Sequence, residues 1–364
     1  MSVIQKAGGL KFSQQHILII AHSGRMLANA VKQAGHSPLV IDLFADQDTV
    51  ALAEQVWQVE DLSWATIQAV IECIVLNYKI QWLVYGSGME NQPETLAHLA
   101  ECFTVAGNSA AVCKQLNDKK SFFKQLDRFA IAYPESQFEA PENNIGWLIK
   151  PFKHVGGIGV DWCNRAAKQG EYYQRFSKGL VSSVLFCADG KQSELIGFHR
   201  QWSVSQDNFT FAGIVQEPFL AVEVQQTVRG WLKKLVSYYQ LKGLASLDFI
   251  WDGENCYFLE INPRPPASMA LYPKLDLLNA HITGKIRNIC TDKSIYGLQI
   301  IYARQACTIN ATFNWPEWSF DRPKINTRLD TNAPICSIIA QQETVRQTLD
   351  SLLARQQFIE NNLY

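Results

Sequence analysis

The stretch "SLDFIWDGENCYFLEINPRP", residues 246–265, constrains the chain more than any other. It reads as two strand patterns joined by a turn containing Gly253 and Asn255, a hairpin signature. Strand side chains alternate between faces, so Glu260, Asn262 and Arg264 share one face and Leu259, Ile261 and Pro263 the other. One face suits a core; the other is a row of polar groups. If Gly253, Glu254 and Asn255 form a three-residue loop with Asn255 left-handed, Asp252 pairs with Cys256 and Asp248 falls opposite Glu260. A two- or four-residue loop would put Asp248 on the other face. Carboxylates directly opposite repel, unless they share a divalent cation. Asp, Glu and an Asn carbonyl are hard oxygen ligands suited to Mg²⁺. The competing reading is a half-exposed hairpin whose acids face water. Relief of the repulsion predicts that Glu260→Gln stabilises the metal-free protein. Arg264 follows between Pro263 and Pro265, whose fixed φ holds the guanidinium in a stiff segment able to grip carboxylate or phosphate oxygens.

A chain of 364 residues is long enough for two or three packed units. Its 47% apolar content implies a folded globular protein. Lys plus Arg number 33 against 34 acids, a balance that speaks against a nucleic-acid groove or a polybasic membrane surface. The run "ILIIA" (17–21) is too short for a membrane span and lacks the flanks of a signal peptide. The cysteines, at 73, 102, 113, 163, 187, 256, 290, 307 and 336, form no CxxC pair and none has an activating neighbour. Mostly buried free thiols in a reducing cytoplasm are the simplest reading.

Residues 16–42 read strand–helix–strand, with Gly35 ending the helix and Asp42 closing the second strand. The loop "HSG" has one glycine where a dinucleotide fingerprint needs three, so a Rossmann-like layer without bound dinucleotide is expected. "WLVYGSGMEN" (82–91) is a further strand feeding a glycine loop at the sheet's carboxyl edge. Ligands bind at such edges, which makes Gly86, Ser87, Gly88 and Glu90 substrate candidates; an ordinary loop would carry the same letters. After residue 110 come a helix over about 110–127, a run of strands and a helix near 221–240, the order of an antiparallel α+β unit. Residues 275–364 mix helix and strand and end in a helix near 342–361.

"WLIKPFKHVGGIGV" (147–160) is a strand ending near Lys150, followed by Gly156, Gly157 and Gly159. Glycines let backbone N–H groups approach phosphates, though no Gly-Lys-Ser/Thr follows and this is no Walker loop. Taken together, these segments resemble the ATP-grasp superfamily over about residues 110–270, in family order. The resemblance implies that Lys119 and Lys150 are the two nucleotide lysines and that 153–159 is the flap over the phosphates. "YQRF" (173–176), with Gln174, Arg175 and Phe176, would meet the adenine edge. Asp248, Glu260 and Asn262 would hold Mg²⁺ or Mn²⁺, and Arg264 would steady the transferred phosphate. "FHRQW", with Arg200 and Gln201, "FAGIV" and "APICSIIA" further resemble predicted carboligases related to biotin carboxylase. Two departures stand out. The usual ribose acid is missing from "GLVSSV", where Ser182 or Ser183 could serve, and Gln174 stands where a glutamate is common.

The resemblance implies a Rossmann-like domain over 1–109, ATP-grasp subdomains over 110–185 and 186–275, and an α+β extension over 276–364. It implies an ATP- and Mg²⁺-dependent ligase that activates a carboxylate as an acyl phosphate for attack by an amine or thiol. Small-molecule acids and amines would be its partners, with no nucleic acid or membrane, and a homodimer is compatible. Relatives that attach amino acids during cofactor biosynthesis are a hint to substrate class. The alternatives are a bicarbonate-activating carboxylase-like enzyme, although no biotin-attachment "MKM" occurs, a non-catalytic nucleotide sensor, and an NAD-binding oxidoreductase.

Overall fold

The computed structural model describes residues 15–287 and 293–364. Cys290 lies outside them. The N-terminal unit is a parallel sheet of β1 (His16–Ile20), β2 (Ser37–Asp42), β3 (Gln55–Gln58) and β4 (Ile80–Tyr85), in the order β3-β2-β1-β4. Ile17, Ile19 and Val40 pack on one side and Leu18, Ile20 and Ile41 on the other. A sheet covered on both faces needs such unbroken apolar runs. Gly35, with φ 82°, ends the helix Arg25–Gln33.

The expected single helix over 110–127 is two helices, Ala110–Asn117 and Lys119–Arg128. Asp118 breaks the run because its carboxylate accepts from the Ser121 N–H and caps the second helix. A small antiparallel sheet follows, of β5 (Ser136–Gln137), β6 (Trp147–Pro151), β7 (Asp161–Trp162) and β8 (Glu171–Arg175), in the order β5-β8-β6-β7.

The remaining strands build one antiparallel sheet. They are β9 (Leu180–Asp189), β10 (Ser193–Ser203), β11 (Phe211–Gln216), β12 (Lys242–Trp251), β13 (Cys256–Asn262), β14 (Ile295–Tyr302), β16 (Ser319–Phe320) and β18 (Pro334–Gln342). The order is β13-β12-β9-β10-β11-β14-β18-β16, so strands from the last ninety residues join the sheet that carries the acid hairpin. Cys307–Thr308 (β15) and Arg328–Leu329 (β17) form a separate ribbon. The helix Val345–Leu363 lies near the end expected from sequence.

Alternation along β9, β12 and β13 sorts the chemistry. Val184, Phe186, Leu247, Phe249, Phe258 and Ile261 face one core together with Val228, Leu232 and Leu235 of the helix Val222–Tyr239. Ser183, Ser246, Asp248, Glu260 and Asn262 line a cleft of about 1240 Å³. The cleft is bounded by the N-terminal unit, the small sheet and the last strands. No helix among the described residues is long and apolar enough to cross a membrane.

Candidate active site

Asp248 and Glu260 are paired residues across β12 and β13. The route to that register differs from the sequence expectation. Trp251, not Asp252, pairs with Cys256, which leaves a four-residue loop. Gly253, not Asn255, takes the left-handed φ of 108°. Such a loop alone would put Asp248 on the wrong face. A bulge in β13 corrects it, because Phe249 pairs with Phe258 while Asp248 pairs with Glu260, so Leu259 is the extra residue. The bulge also turns Leu259 from the expected core face into the cleft lining.

The two carboxyls have opposite fates. Burial, followed by the Glu260 charge, pushes Asp248 up to about 8. Burial would raise Glu260 too, but His154, Lys150, Lys119 and Arg264 outweigh it and hold its carboxyl below the usual carboxylate range. His154 Nε2 lies 3.4 Å from Glu260 Oε2, while its Nδ1 is buried with no partner among the described residues. Burial lowers the pKa of Lys119, Lys150 and His154. Lys150, His154 and Arg264 line this end of the cleft beside Asp248 and Glu260, and basic groups so placed suit phosphate oxygens.

Asn262 completes the acid row. Its Nδ2 donates to Asp248 Oδ2 at 3.1 Å and its Oδ1 accepts from Arg264 Nη2 at 3.2 Å. Gln201 Nε2 also donates to Asp248, at 3.4 Å. Among the described residues no group of three His, Cys, Asp or Glu is gathered as a metal site. The set here is two carboxylates and a carboxamide, all hard oxygen donors. A buried carboxyl pushed up to about 8 by desolvation and by the Glu260 charge fits a divalent cation as a partner.

Arg264 is buried and locked. Its Nε donates to Glu90 Oε1 at 2.9 Å and Nη1 to the Pro265 carbonyl at 3.4 Å. Glu90, a substrate candidate from sequence, thus holds the arginine, and its Oε2 is buried with no hydrogen-bond partner among the described residues. Gly86 and Ser87 line the cleft, whereas Gly88 packs on His22, whose ring a Cβ there would strike at 2.2 Å. Arg200 is also drawn elsewhere, to Glu217 at 2.6 Å, while its neighbour Gln201 reaches the acid pair.

Lys150, the last but one residue of β6, donates to Gln174 Oε1 on β8 at 3.0 Å, and Gln174 Nε2 donates to Ser136. The neutral amide therefore performs a link that a glutamate would make as an ion pair. Lys119 starts its helix and donates to the Leu116 carbonyl at 3.4 Å. Phe176 is 39% exposed at the cleft, its ring 5.0 Å from Trp162 and 6.2 Å from Phe209. Arg175, also in the cleft lining, reaches the Ile145 carbonyl and the Trp147 ring. Ser183 lines the cleft, whereas Ser182, its alternative as a ribose contact, does not.

Gly156, Gly157 and Gly159 all have positive φ, at 56°, 74° and 81°. The flap rests on the β10–β11 loop. Phe211 N–H donates to the Gly156 carbonyl at 2.8 Å, and a Cβ on Gly157 would lie 2.1 Å from the Phe209 oxygen. Asp42 accepts from the Gly24 and Ala45 N–H groups, at 3.1 and 2.7 Å. All eight described cysteines are free, and Cys73 and Cys102 are exposed.

Residues 116–268 match the family model of the ATP-grasp domain. The chain carries an ATP-grasp domain. Over 195 residues it is 22% identical to the arginine-specific large chain of carbamoyl phosphate synthase from Bacillus subtilis (strain 168). That alignment takes in 47% of this chain but only 19% of the relative, so the chain spans about a fifth of its length. The fold matches the biotin carboxylase domain dimer of 2-oxoglutarate carboxylase from Hydrogenobacter thermophilus, a complex with MgADP, ADP and bicarbonate. The TM-score is 0.72 at 13% identity, over 93% of this chain and 89% of that one. It also matches an L-amino acid ligase from Bacillus licheniformis, with TM-score 0.68 at 13% identity, over 96% and 98% of the two chains. The ATP-grasp fold thus carries the acid hairpin, the glycine flap and Arg264 on one cleft. His154 lines the same cleft beside Glu260 and was not singled out from sequence, although its place beside the glycines at 156–159 was a signal.

Proposed function

We propose that this protein is an ATP- and Mg²⁺-dependent ligase that activates a substrate carboxylate as an acyl phosphate for attack by an amine. The observation that carries the reading is the Asp248–Glu260 pair facing a cleft that also holds Lys150, Arg264 and the glycine flap. Asp248, Glu260 and Asn262 would hold the cation; Asn262 Oδ1 would then leave Arg264 Nη2 free for a phosphate oxygen. ATP with Mg²⁺ supplies the phosphoryl group. Lys119 and Lys150 meet its oxygens, the flap amides cover them, and Gln174–Phe176 receives the base. Phe176, with Trp162 and Phe209 beside it, offers an aromatic surface. Arg264 neutralises charge on the group in transfer, held in place by Glu90. No protein nucleophile is needed, so all the work lies in positioning and charge.

The division into 1–109, 110–185, 186–275 and 276–364, the cytoplasmic location and a homodimer belong to the same reading. Gly86 and Ser87 lie where the substrate would meet the N-terminal unit. The resemblance to an amino acid ligase supports an amine acceptor, and that to a bicarbonate complex keeps bicarbonate in view as the acid. The test has two arms. ATP with Mg²⁺ should raise the melting temperature by mass action, while NAD should not. Purified protein should then release ADP and phosphate when candidate acids and amines are added. An NAD shift without an ATP shift refutes the reading. ATP binding without turnover on any acid leaves a nucleotide sensor, and turnover on bicarbonate alone marks a carboxylase-like enzyme.

A further inference from the structure

At the end of the cleft between the N-terminal unit and the last strands, Asp46 is only 6% exposed and lines the cavity. It stands at the N-cap of the six-residue helix Gln47–Leu52, yet its carboxylate caps nothing. No described residue gives it a hydrogen bond or an ion pair, although three more aspartates stand nearby. Each of those is engaged. Asp42 takes the Gly24 and Ala45 N–H groups, and Asp48 those of Asp321 and Arg322. Asp321 takes Arg25 Nε at 3.0 Å and Ser23 Oγ at 3.1 Å. Among the described residues Arg25 is the single cation that pairs with this group, against four acids. Arg322 is turned to the carbonyls of Ser319 and Pro316, and Lys324 to Gln58, so neither closes on Asp46.

A buried, unpaired carboxylate among like charges is costly to keep, and burial with the charges of Asp321, Asp48 and Asp42 pushes its pKa up to about 8. A cation from outside would relieve the cost. We infer that Asp46 is the counter-ion for an ammonium group on the substrate, bound in the same cleft as the Asp248–Glu260 pair; this rests on the ligase reading above. An ammonium beside a buried carboxylate keeps its proton and is no nucleophile. The nitrogen at Asp46 is therefore a recognition handle, and the substrate carries it in addition to the group that reacts.

The test compares the full-length protein with Asp46→Asn by thermal shift, with and without Mg–ATP. The probes are free α-amino acids and linear diamines, each beside its N-acetylated form. Asparagine suits the same N-cap, so a fold defect is not built in. The variant should melt a few degrees higher without ligand, because a carboxyl whose charge folding disfavours is gone. At least one ammonium probe should stabilise the wild type and its acetylated form should not. The variant should bind that probe about tenfold more weakly or worse, as when one partner of a desolvated charge pair is lost, and keep its Mg–ATP shift. A lower melting point for ligand-free Asp46→Asn would overturn the inference, as would equal stabilisation by the acetylated forms or an ammonium shift surviving in the variant. No ammonium shift at all beside a normal Mg–ATP shift would also overturn it. Failure of the ligase reading shows separately, as absence of the Mg–ATP shift in both proteins.

Discussion

Asp248 and Glu260 sit side by side on neighbouring strands, yet one is a carboxyl pushed up to about 8 and the other stays ionised below the usual range. The difference lies in their neighbours. Glu260 faces His154, Lys150 and Lys119, while Asp248 has two amide donors, from Gln201 and Asn262. This changes what a charge deletion should do.

Asp248→Asn removes a destabilising buried acid and should raise the melting temperature of the metal-free protein by a few degrees. Glu260→Gln should do the reverse of what pairwise repulsion alone predicts. It strips the counter-charge from several buried cations, at a cost of about 3–5 kcal/mol. Both should lower ADP formation by about a hundredfold or more at saturating Mg²⁺. Equal stability changes for the two variants, read by urea denaturation in the presence of a chelator, would contradict the asymmetry.

Arg264→Ala should reduce turnover by about a hundredfold and leave the ATP dissociation constant within a few-fold, because Lys119, Lys150 and the flap remain. It should also destabilise, since Glu90 is left buried without its partner. Adding Glu90→Gln should restore stability but not activity. Arg264→Lys should recover only part of the rate, since an ammonium cannot copy the fork that reaches Glu90 and Asn262 together. ATP affinity lost in step with activity would make Arg264 a ground-state nucleotide ligand instead.

Gly157→Ala should unseat the flap. Its φ of 74° disfavours a side chain by about 1 kcal/mol, and the Cβ has no room beside the Phe209 oxygen. The Phe211 amide, bonded to the Gly156 carbonyl, should then exchange with solvent faster, and KM for ATP should rise more than kcat falls. Unchanged exchange would separate the flap from the β10–β11 loop.

The pH dependence follows from Asp46. Its pKa is raised from 3.8 to about 8 on folding, so between those values the folded state binds more protons than the unfolded one. Stability from this group is full below pH 4 and is lost as pH rises towards 8. The melting-point gap between Asp46→Asn and wild type should therefore be small at pH 5 and widest near pH 8. A gap that narrows with rising pH would reverse the sign of the argument.

Much of this was legible in the letters. Period-two alternation marked the strands of the acid hairpin, and the apolar runs around 17–21 and 82–85 marked a covered parallel sheet. The facing of Asp248 and Glu260 was read correctly, but through a loop length that the chain does not use. A bulge leaves no mark in a pattern that counts residues, because its presence depends on what packs behind Phe258. Glycines, lysines and acids could be named from sequence because each type has few uses at a phosphate.

Local sequence determined which faces are apolar, where the helices are capped and which segments carry polar tools, since these depend on neighbours a few residues away. The pairing of residues far apart was decided only by the tertiary structure. Glu90 became the partner of Arg264, 174 positions later. Asp46 was left facing Asp321 across 275 positions, and Arg200 was drawn off to Glu217. Charge energies vary with burial and with distances of a few ångströms. Those quantities exist only once the sheets have closed around the cleft.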